Sequence, residues 1–435
     1  MTVRTRFAPS PTGQVHIGNI RAAIYNWLFA RHHGGRFLLR IEDTDRVRST
    51  DEAVQAVLEA LTWLGLEADE PPVYQSRQQA AHRAAAEQLL SSGRAYRAAK
   101  GEAGQGEVVL FRMPDHALEF TDEIKGPLRK AAADMQDFVL VRSDGTPVFH
   151  LANVVDDVAM GITHVIRGDD HIENTYRHVA LYQALGAPLP RFAHLPMIVN
   201  AQGKPYSKRD GAAYVGDFRS RGFLADALFN YLVLLGWSPG DDREIMSRAE
   251  MIADFSLERV QSKAAQFDER KLAWFNGQYV RALPLATRVA ACADVLRAHG
   301  IEAEPTYLAQ VVDLLAERLQ FITDIPTQAA YFFTEDYPVD AKAVRKRLGT
   351  AEARERLAEA RAALAAAPGF TAPELEEVVR ELAERRAVSV GVYIHPLRVA
   401  ASGSAAGPGL FDMLAVLGRE RVLARVDRSL AEPSA

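Results

Sequence analysis

His16 sits between Gly13 and Gly18 in the segment APSPTGQVHIGN, just before an apolar stripe of helical spacing. A glycine-lined turn entering a helix aims backbone N–H groups and the positive end of the helix dipole at whatever binds above it, which suits an anion. From there the His16 ring could donate hydrogen bonds to a phosphate whose charge grows during displacement at phosphorus, or it could simply cap the helix. Much later in the chain, GKPYSKRDGA sets Lys204, Lys208 and Arg209 beside glycines and Ser207. That is a basic loop able to close over a triphosphate, or a solvated surface loop. RIEDTDR places Glu42, Asp43 and Asp45 between Arg40 and Arg46, where Glu42 could meet an ammonium group or belong to a surface ion-pair cluster. Arg167 ends the apolar run ITHVIR. A buried arginine is costly unless paired, so its partner is a ligand carboxylate or phosphate, or else Asp169, Asp170 or Glu42 within the chain. His171, Asp156 and Asp157 have no metal-ligand spacing.

The elements that would position these groups are legible. Thr5 to Ala8 reads as a short strand, Ile20, Ile24, Trp27 and Leu28 as one helical face, and Phe37 to Ile41 as a buried strand ending at Glu42. A second helix is expected after a capping box at Ser49 and Glu52. KGEAGQGE reads as a loop, and Val108–Met113, Phe138–Arg142 and Val148–Leu151 as strands, with a tight turn at Asp144-Gly145. The parallel pattern resumes in ITHVIR and in LPMIVN. In doubly wound sheets ligands bind outside the carboxyl ends of the strands, which makes residues 6–12, 42–45, 167–171 and 204–209 candidates for one site. From Phe223 onward the spacing is almost wholly helical, as at Leu308, Val311, Val312 and Leu315, or after the box at Thr371 and Glu374.

Bulk properties limit the alternatives. A chain of 435 residues is long for one core, and 48% hydrophobic with 25% charged residues is an ordinary globular composition. The single cysteine, Cys292, permits neither an intrachain disulfide nor a cysteine-based zinc site. No segment has the apolar length of a membrane span or the core of a signal peptide, so a cytoplasmic protein is expected. The net charge of −5 gives no compositional sign of nucleic acid, and any RNA contact must come from local basic patches.

In order along the chain, APSPTGQVHIGN, RIEDTDR, VVDD with MGITHVIRGDDHIENT, LFNYLVLLGW, AAQFDERKLAWFNG, and HPLRVAASGS with PGLFDMLAVLGRERVL resemble the bacterial-type glutamyl-tRNA synthetases over nearly the whole chain. These are class I aminoacyl-tRNA synthetases, whose H-I-G-H and K-M-S-K-S signatures flank the ATP site. The resemblance implies an α/β fold: a Rossmann-like catalytic domain at 1–96 and 151–205 and an α+β acceptor-end insertion at 97–150. A signature-loop and stem-contact region at 206–300 and an all-α anticodon-binding domain at 301–435 follow. It implies a glutamate–tRNA ligase that activates L-glutamate with ATP and magnesium, without zinc, and charges tRNA(Glu), with tRNA(Gln) as a possible second acceptor. A monomer is expected, and activation that waits for bound tRNA.

Residue by residue, the resemblance puts His16, Gly18, Ser207 and Lys208 at the reacting phosphates, with Arg209 also at ATP. It puts Arg6, Ser10, Glu42, Phe149, Asn153 and Arg167 around glutamate. Three positions depart from the family pattern: Asn19 ends the first signature, Pro205 replaces the first lysine of the second, and Phe149 stands where a tyrosine is usual. The short insertion also lacks zinc-type cysteines. Arg318 and Arg398 are candidate tRNA contacts on C-terminal helices. Three rivals remain at this point: a catalytically silent RNA-binding relative, a nucleotidyltransferase that handles no tRNA, and a truncated relative that glutamylates a modified tRNA base.

Overall fold

A computed structural model of the chain describes residues 2–45, 49–99 and 106–431, in two compact units, Met1–Phe275 and Asn276–Ala435. Arg46 of RIEDTDR and most of the expected KGEAGQGE loop lie outside the described residues. The first unit opens with β1 (Arg4–Phe7), α1 (Ile17–His32) and β2 (Arg36–Ile41). β1 and β2 pair in parallel with Arg6 opposite Leu38. Helix α1 buries Ile20, Ala23, Ile24, Tyr25 and Leu28, so it is a core helix rather than a surface one. Helix α2 (Asp51–Trp63) starts one residue later than the expected capping box. Thr50, not Ser49, is the N-cap and accepts from Ala53 N at 3.2 Å. Strand β3 (Val73–Tyr74) extends the parallel sheet beside β2.

Next come α3 (Gln79–Ser91), β4 (Ala95–Ala99), β5 (Glu107–Phe111), β6 (Leu118–Asp122), β7 (Gly126–Lys130) and β8 (Phe138–Val141). β4, β5 and β8 form an antiparallel sheet of their own. The turn at Asp144-Gly145 is present, with Gly145 at φ 78°, but the expected strand over Val148–Leu151 is not. Pro147 makes one bridge to Val141 and has no N–H with which to extend a ladder. Val148 then caps helix α4 (Phe149–Ala159), which buries Leu151, Ala152 and Val154 at helical spacing.

β9 (His164–Gly168), α5 (Ile172–Leu185), β10 (Arg191–Leu195) and β11 (Ile198–Val199) complete the core of the unit. LPMIVN is thus split by Pro196, which ends β10, and the longer strand is RFAHL. β9 pairs with β10 and sits beside β1, where Thr163 N donates to Arg4 O at 3.0 Å. The β6–β7 hairpin joins the same sheet, since β6 runs parallel to β10 with Asp122 opposite Phe192. The carboxyl ends of β1, β2 and β9 therefore converge. Helices α6 (Val215–Ser220), α7 (Ala225–Leu234) and α8 (Arg248–Asp254) follow, then β12 (Ala265–Gln266), which pairs with β11, and α9 (Glu269–Ala282).

In the second unit every described element from Leu285 on is helical. Leu308, Val311, Val312 and Leu315 are buried, and the Thr371/Glu374 capping box opens helix Ala372–Arg385.

Candidate active site

A cleft of about 650 Å³ opens at the carboxyl ends of β1, β2 and β9, and Arg6, Ser10, His16, Gly18, Glu42, Phe149, Asn153 and Arg167 all line it. Residues from three separate strand ends and from α1 and α4 meet there, as the strand-end rule requires.

At one end, His16 is the N-cap of α1, and its Nδ1 accepts from Gly18 N at 3.1 Å. The capping role is therefore real, and it leaves the other one open. With Nδ1 as acceptor, the proton of the neutral ring sits on Nε2, the one donor the ring can offer to the Tyr206 carbonyl or, in its place, to a ligand oxygen. Burial lowers its pKa, against a raising hydrogen bond to the Tyr206 backbone. A Cβ at Gly18 would lie 3.3 Å from His16 Nδ1, so a larger residue there would push the ring aside by a few tenths of an ångström.

The segment that follows the second signature folds against the first. His16 bridges to Tyr214, the two rings stand edge to face at 6.0 Å, and Ile17 N donates to Ala213 O at 2.9 Å. Asp210 Oδ2 accepts from Ser207 N and Ser207 Oγ, both at 2.9 Å, and Asp210 Oδ1 accepts from Asn200 at 2.7 Å. The loop is thus built, not a loose tether. Lys208 is exposed, with Nζ 5.7 Å from the centre of the Tyr214 ring. Pro205 and Tyr206 line the cleft, whereas Ser207, Lys208 and Arg209 stand outside its wall.

At the other end is a buried charge network. Arg6 Nε is 3.1 Å from Asp157 Oδ1, Arg40 also pairs with Asp157, and Arg40 Nη2 is 3.1 Å from Glu42 Oε1. Asn153 Nδ2 donates to the same Glu42 Oε1 at 3.0 Å. RIEDTDR is therefore not a surface cluster. Arg40 is fully buried and Glu42 nearly so, while Asp43 accepts from the backbone and hydroxyl of Ser76. Glu42 Oε2 accepts from none of the described residues. Burial raises the pKa of Glu42, with Arg40 and Arg6 pulling the other way. For Asp157, burial is outweighed by Arg40 and Arg6, and its pKa falls.

Arg167 lacks the internal partner that sequence left open. Among the described residues no carboxylate lies within ion-pair distance of it. Its guanidinium donates to Thr175 Oγ1 at 2.7 Å, and more distantly to His194 Nε2 at 3.4 Å and His178 Nδ1 at 3.4 Å. Burial, then repulsion from Arg6, brings its pKa down to about 10. His178 and His194 carry no motif that marks them in sequence, and Thr175, at the end of MGITHVIRGDDHIENT, carries no sign of this contact; neither does Asp122, whose Oδ2 lies 2.6 Å from His194 Nδ1. The insertion hairpin thus supports the arginine through one ring. Phe149 packs against His171 and His178, ring centres 6.0 Å and 5.6 Å apart.

In the second unit, Arg398 Nη1 donates to Pro408 O at 2.7 Å, and Arg318 lines a cavity of about 390 Å³ that Pro408 and Tyr331 share. Both guanidiniums lie close enough to Tyr331 to lower its phenol pKa, although burial dominates and leaves it raised.

The family model for the catalytic domain of class I tRNA synthetases (E and Q) matches residues 2–102 and 98–274, and an anticodon-binding-domain model matches residues 281–430. Glutamate–tRNA ligase 1 of Syntrophus aciditrophicus is 41% identical, covering 99% of this chain and 97% of its own. The chain belongs to the class I glutamyl-tRNA synthetase family. Glutamate–tRNA ligase 1 of Gluconacetobacter diazotrophicus is 43% identical over 98% of this chain and 99% of its own. A crystal structure of a glutamate tRNA ligase from Elizabethkingia meningosepticum, in complex with its amino acid, matches with a TM-score of 0.91 and 31% identity over 99% of both chains. Full-length coverage including the helical region removes the truncated and single-domain rivals. No helix among the described residues is long and apolar enough to cross a membrane.

Proposed function

We propose that the chain is a glutamate–tRNA ligase whose cleft holds L-glutamate between Arg167 and Arg6 at one end and Glu42 at the other. The observation that carries this reading is the pairing of opposites in one cleft: a buried guanidinium and a carboxylate oxygen to which the described residues bring no carboxylate and no donor, respectively. A planar guanidinium matches a carboxylate in fork geometry, and an unclaimed carboxylate oxygen matches an ammonium. Ser10 and Asn153 complete the amino-acid pocket, with Phe149 as an apolar wall.

The substrate's α-carboxylate attacks the α-phosphorus of ATP and pyrophosphate leaves. His16 Nε2–H, the backbone around Gly18, and Lys208 with Arg209 and Ser207 on the signature loop stabilise the charge that builds on the phosphate oxygens. The mixed anhydride is then attacked by the 2′-hydroxyl of the terminal adenosine of tRNA, a step governed by positioning because the anhydride is already activated. Magnesium is expected to arrive on the ATP phosphates. Among the described residues no three His, Cys, Asp or Glu side chains converge to cage an ion.

We assign residues 97–150 to the acceptor end, 206–300 to the signature loop and stem, and 301–435 to the anticodon, with Arg318 and Arg398 as backbone or base contacts. The enzyme acts as a cytoplasmic monomer on tRNA(Glu), and tRNA(Gln) is the second acceptor to be tried. Equilibrium binding tests the pocket. Glutarate, which lacks the amine, and glutamine, which lacks the charge, should each bind at least about tenfold more weakly than glutamate, as expected when a charged hydrogen bond is lost. Equal binding of the three would remove the assignment.

A further inference from the structure

Arg167 is flanked by a run of histidines whose hydrogen-bonding capacity falls one acceptor short. Arg177 Nη1 lies 3.1 Å from His150 Nε2, His150 Nδ1 lies 3.3 Å from His178 Nε2, and His178 Nδ1 lies 3.4 Å from Arg167 Nη1. A guanidinium only donates, and a neutral imidazole has one N–H and one lone pair. Both rings are neutral over the ordinary pH range: burial, then Arg177, holds the His150 pKa at about 4, and burial, then Arg167, holds His178 well below its usual value. The three junctions therefore share two lone pairs. If His178 turns its lone pair to Arg167, its N–H goes to His150, and His150 then presents an N–H to the donor Arg177. If His150 instead accepts from Arg177, the N–H of His178 faces Arg167. The remaining neighbours do not make up the shortage, because Thr175 serves Nη2 and His194 serves Nε, leaving His178 as the only described acceptor for Nη1.

We propose that His150, acting through His178, is a specificity-determining positioning residue: the pair leaves the run from Arg177 to Arg167 one acceptor short until a substrate carboxylate supplies it. This rests on the assignment of Arg167 to the substrate's side-chain carboxylate. When that carboxylate enters, it takes over from His178 as the acceptor for Arg167 Nη1, and the run Arg177→His150→His178 closes without conflict. Each ring keeps one proton throughout: His178 Nε2 passes its proton to His150 Nδ1, half-buried His150 releases its Nε2 proton to water, and His178 Nδ1 regains one by exchange with solvent. A glutamine side chain has a single acceptor oxygen and brings two donors of its own, so it answers the shortage poorly and adds to it. The histidine pair thereby converts a shortage of lone pairs into a preference for an anion.

The two histidines give opposite expectations, which a merely structural role does not. His150→Leu leaves the His178 lone pair committed to Arg167. The glutamate KM in tRNA aminoacylation should rise about fivefold, the ratio one ordinary net hydrogen bond is worth, and the preference over glutamine should narrow. His178→Leu removes the competing acceptor, so the KM should stay at or below the native value with the preference kept. Both changes should act on KM more than on kcat. A rise in KM in both variants, or none in His150→Leu, overturns the proposal. If either variant fails to unfold cooperatively, ¹⁵N spectra of the native full-length chain decide instead: glutamate should move the His178 proton to Nδ1, and an unchanged tautomer overturns the proposal. Arg167→Met separates the two levels. If it leaves the glutamate KM untouched, the carboxylate assignment itself fails; if it raises KM while His150→Leu does not, only the histidine proposal fails.

Discussion

Replacing Arg167 with methionine keeps most of the side-chain volume and removes the charge, and the structure sets both expected effects. For the fold, the loss is small: one short hydrogen bond to Thr175, since the bonds to His194 and His178 are long. That amounts to about 1 kcal/mol, plus a similar figure for partners left unmatched. Against it stands relief from a fully buried cation. Its pKa falls from 12.5 to about 10, and at 1.36 kcal/mol per pKa unit the charged form costs the fold about 3 kcal/mol. Because the folded pKa is the lower one, that cost is present in full at pH 7, where both states are protonated. The variant should therefore be as stable as the native chain, or more stable by about 1 kcal/mol. For activity, two charge-assisted hydrogen bonds to a carboxylate are worth about 3–6 kcal/mol, so kcat/KM for glutamate should fall by roughly 10²–10⁴. Urea unfolding and the glutamate dependence of tRNA charging measure the two quantities. A variant destabilised by more than about 2 kcal/mol would make Arg167 a structural residue. One that keeps kcat/KM within about tenfold would clear it of substrate recognition.

Lys208→Ala should lower the single-turnover rate of glutamate activation by roughly 10²–10³ with tRNA affinity nearly unchanged, as when one donor to a developing charge is lost; an unchanged rate would make the signature loop a surface feature. Pyrophosphate exchange driven by glutamate and ATP should be negligible until tRNA is added, and robust exchange without tRNA would contradict the coupling that the family resemblance implies. Acid should weaken the fold earlier than carboxylate protonation alone. Burial lowers the pKa values of His150 and His164 to about 4, and that of His178 well below 6.5. Between about pH 6.5 and 4 the unfolded chain thus binds protons the folded chain refuses, and stability falls as pH falls. Urea midpoints across that range should drop, with a shallower slope in His178→Gln; a flat profile would mean that these rings protonate in place.

The catalytic fold was legible because its strands are apolar runs that end in polar clusters; three of the four expected endings meet around one cleft, while of residues 204–209 only Pro205 and Tyr206 line it. Local competition decided the misses. Pro147 and Pro196 interrupt runs that hydropathy alone reads as strands, and Phe149 begins a helix because Leu151 and Val154 repeat with its period. The capping box slipped from Ser49 to Thr50 because neighbouring hydroxyl residues are equally good caps by type, and only backbone geometry selects one. Glu42, Arg167 and His16 could be named as candidates, yet sequence could not choose between ligand and internal partner for any of them. The structure treats each differently: among the described residues Glu42 has partners on one oxygen only and Arg167 has no charged partner within ion-pair distance, while His16 caps its helix with one ring nitrogen and has its single donor on the other. Asp122, His178 and His194 were invisible, since they gather around Arg167 from three different elements and none belongs to a motif, and Thr175 closes a recognised motif without any sign that it would bond Arg167. Their only sequence signal is the abundance of histidine near the cleft in FH, RH and AH pairs, which carries no pattern until the strands are in register.

The most direct measurement is aminoacylation of purified tRNA(Glu) and tRNA(Gln) by the full chain with labelled glutamate and, separately, labelled glutamine. Glutamate should be esterified to tRNA(Glu) in an ATP-dependent reaction, and glutamine to neither tRNA. Charging with glutamine at a comparable rate, or no charging of tRNA(Glu) by a folded chain supplied with ATP and magnesium, would contradict the assignment of this cleft to glutamate.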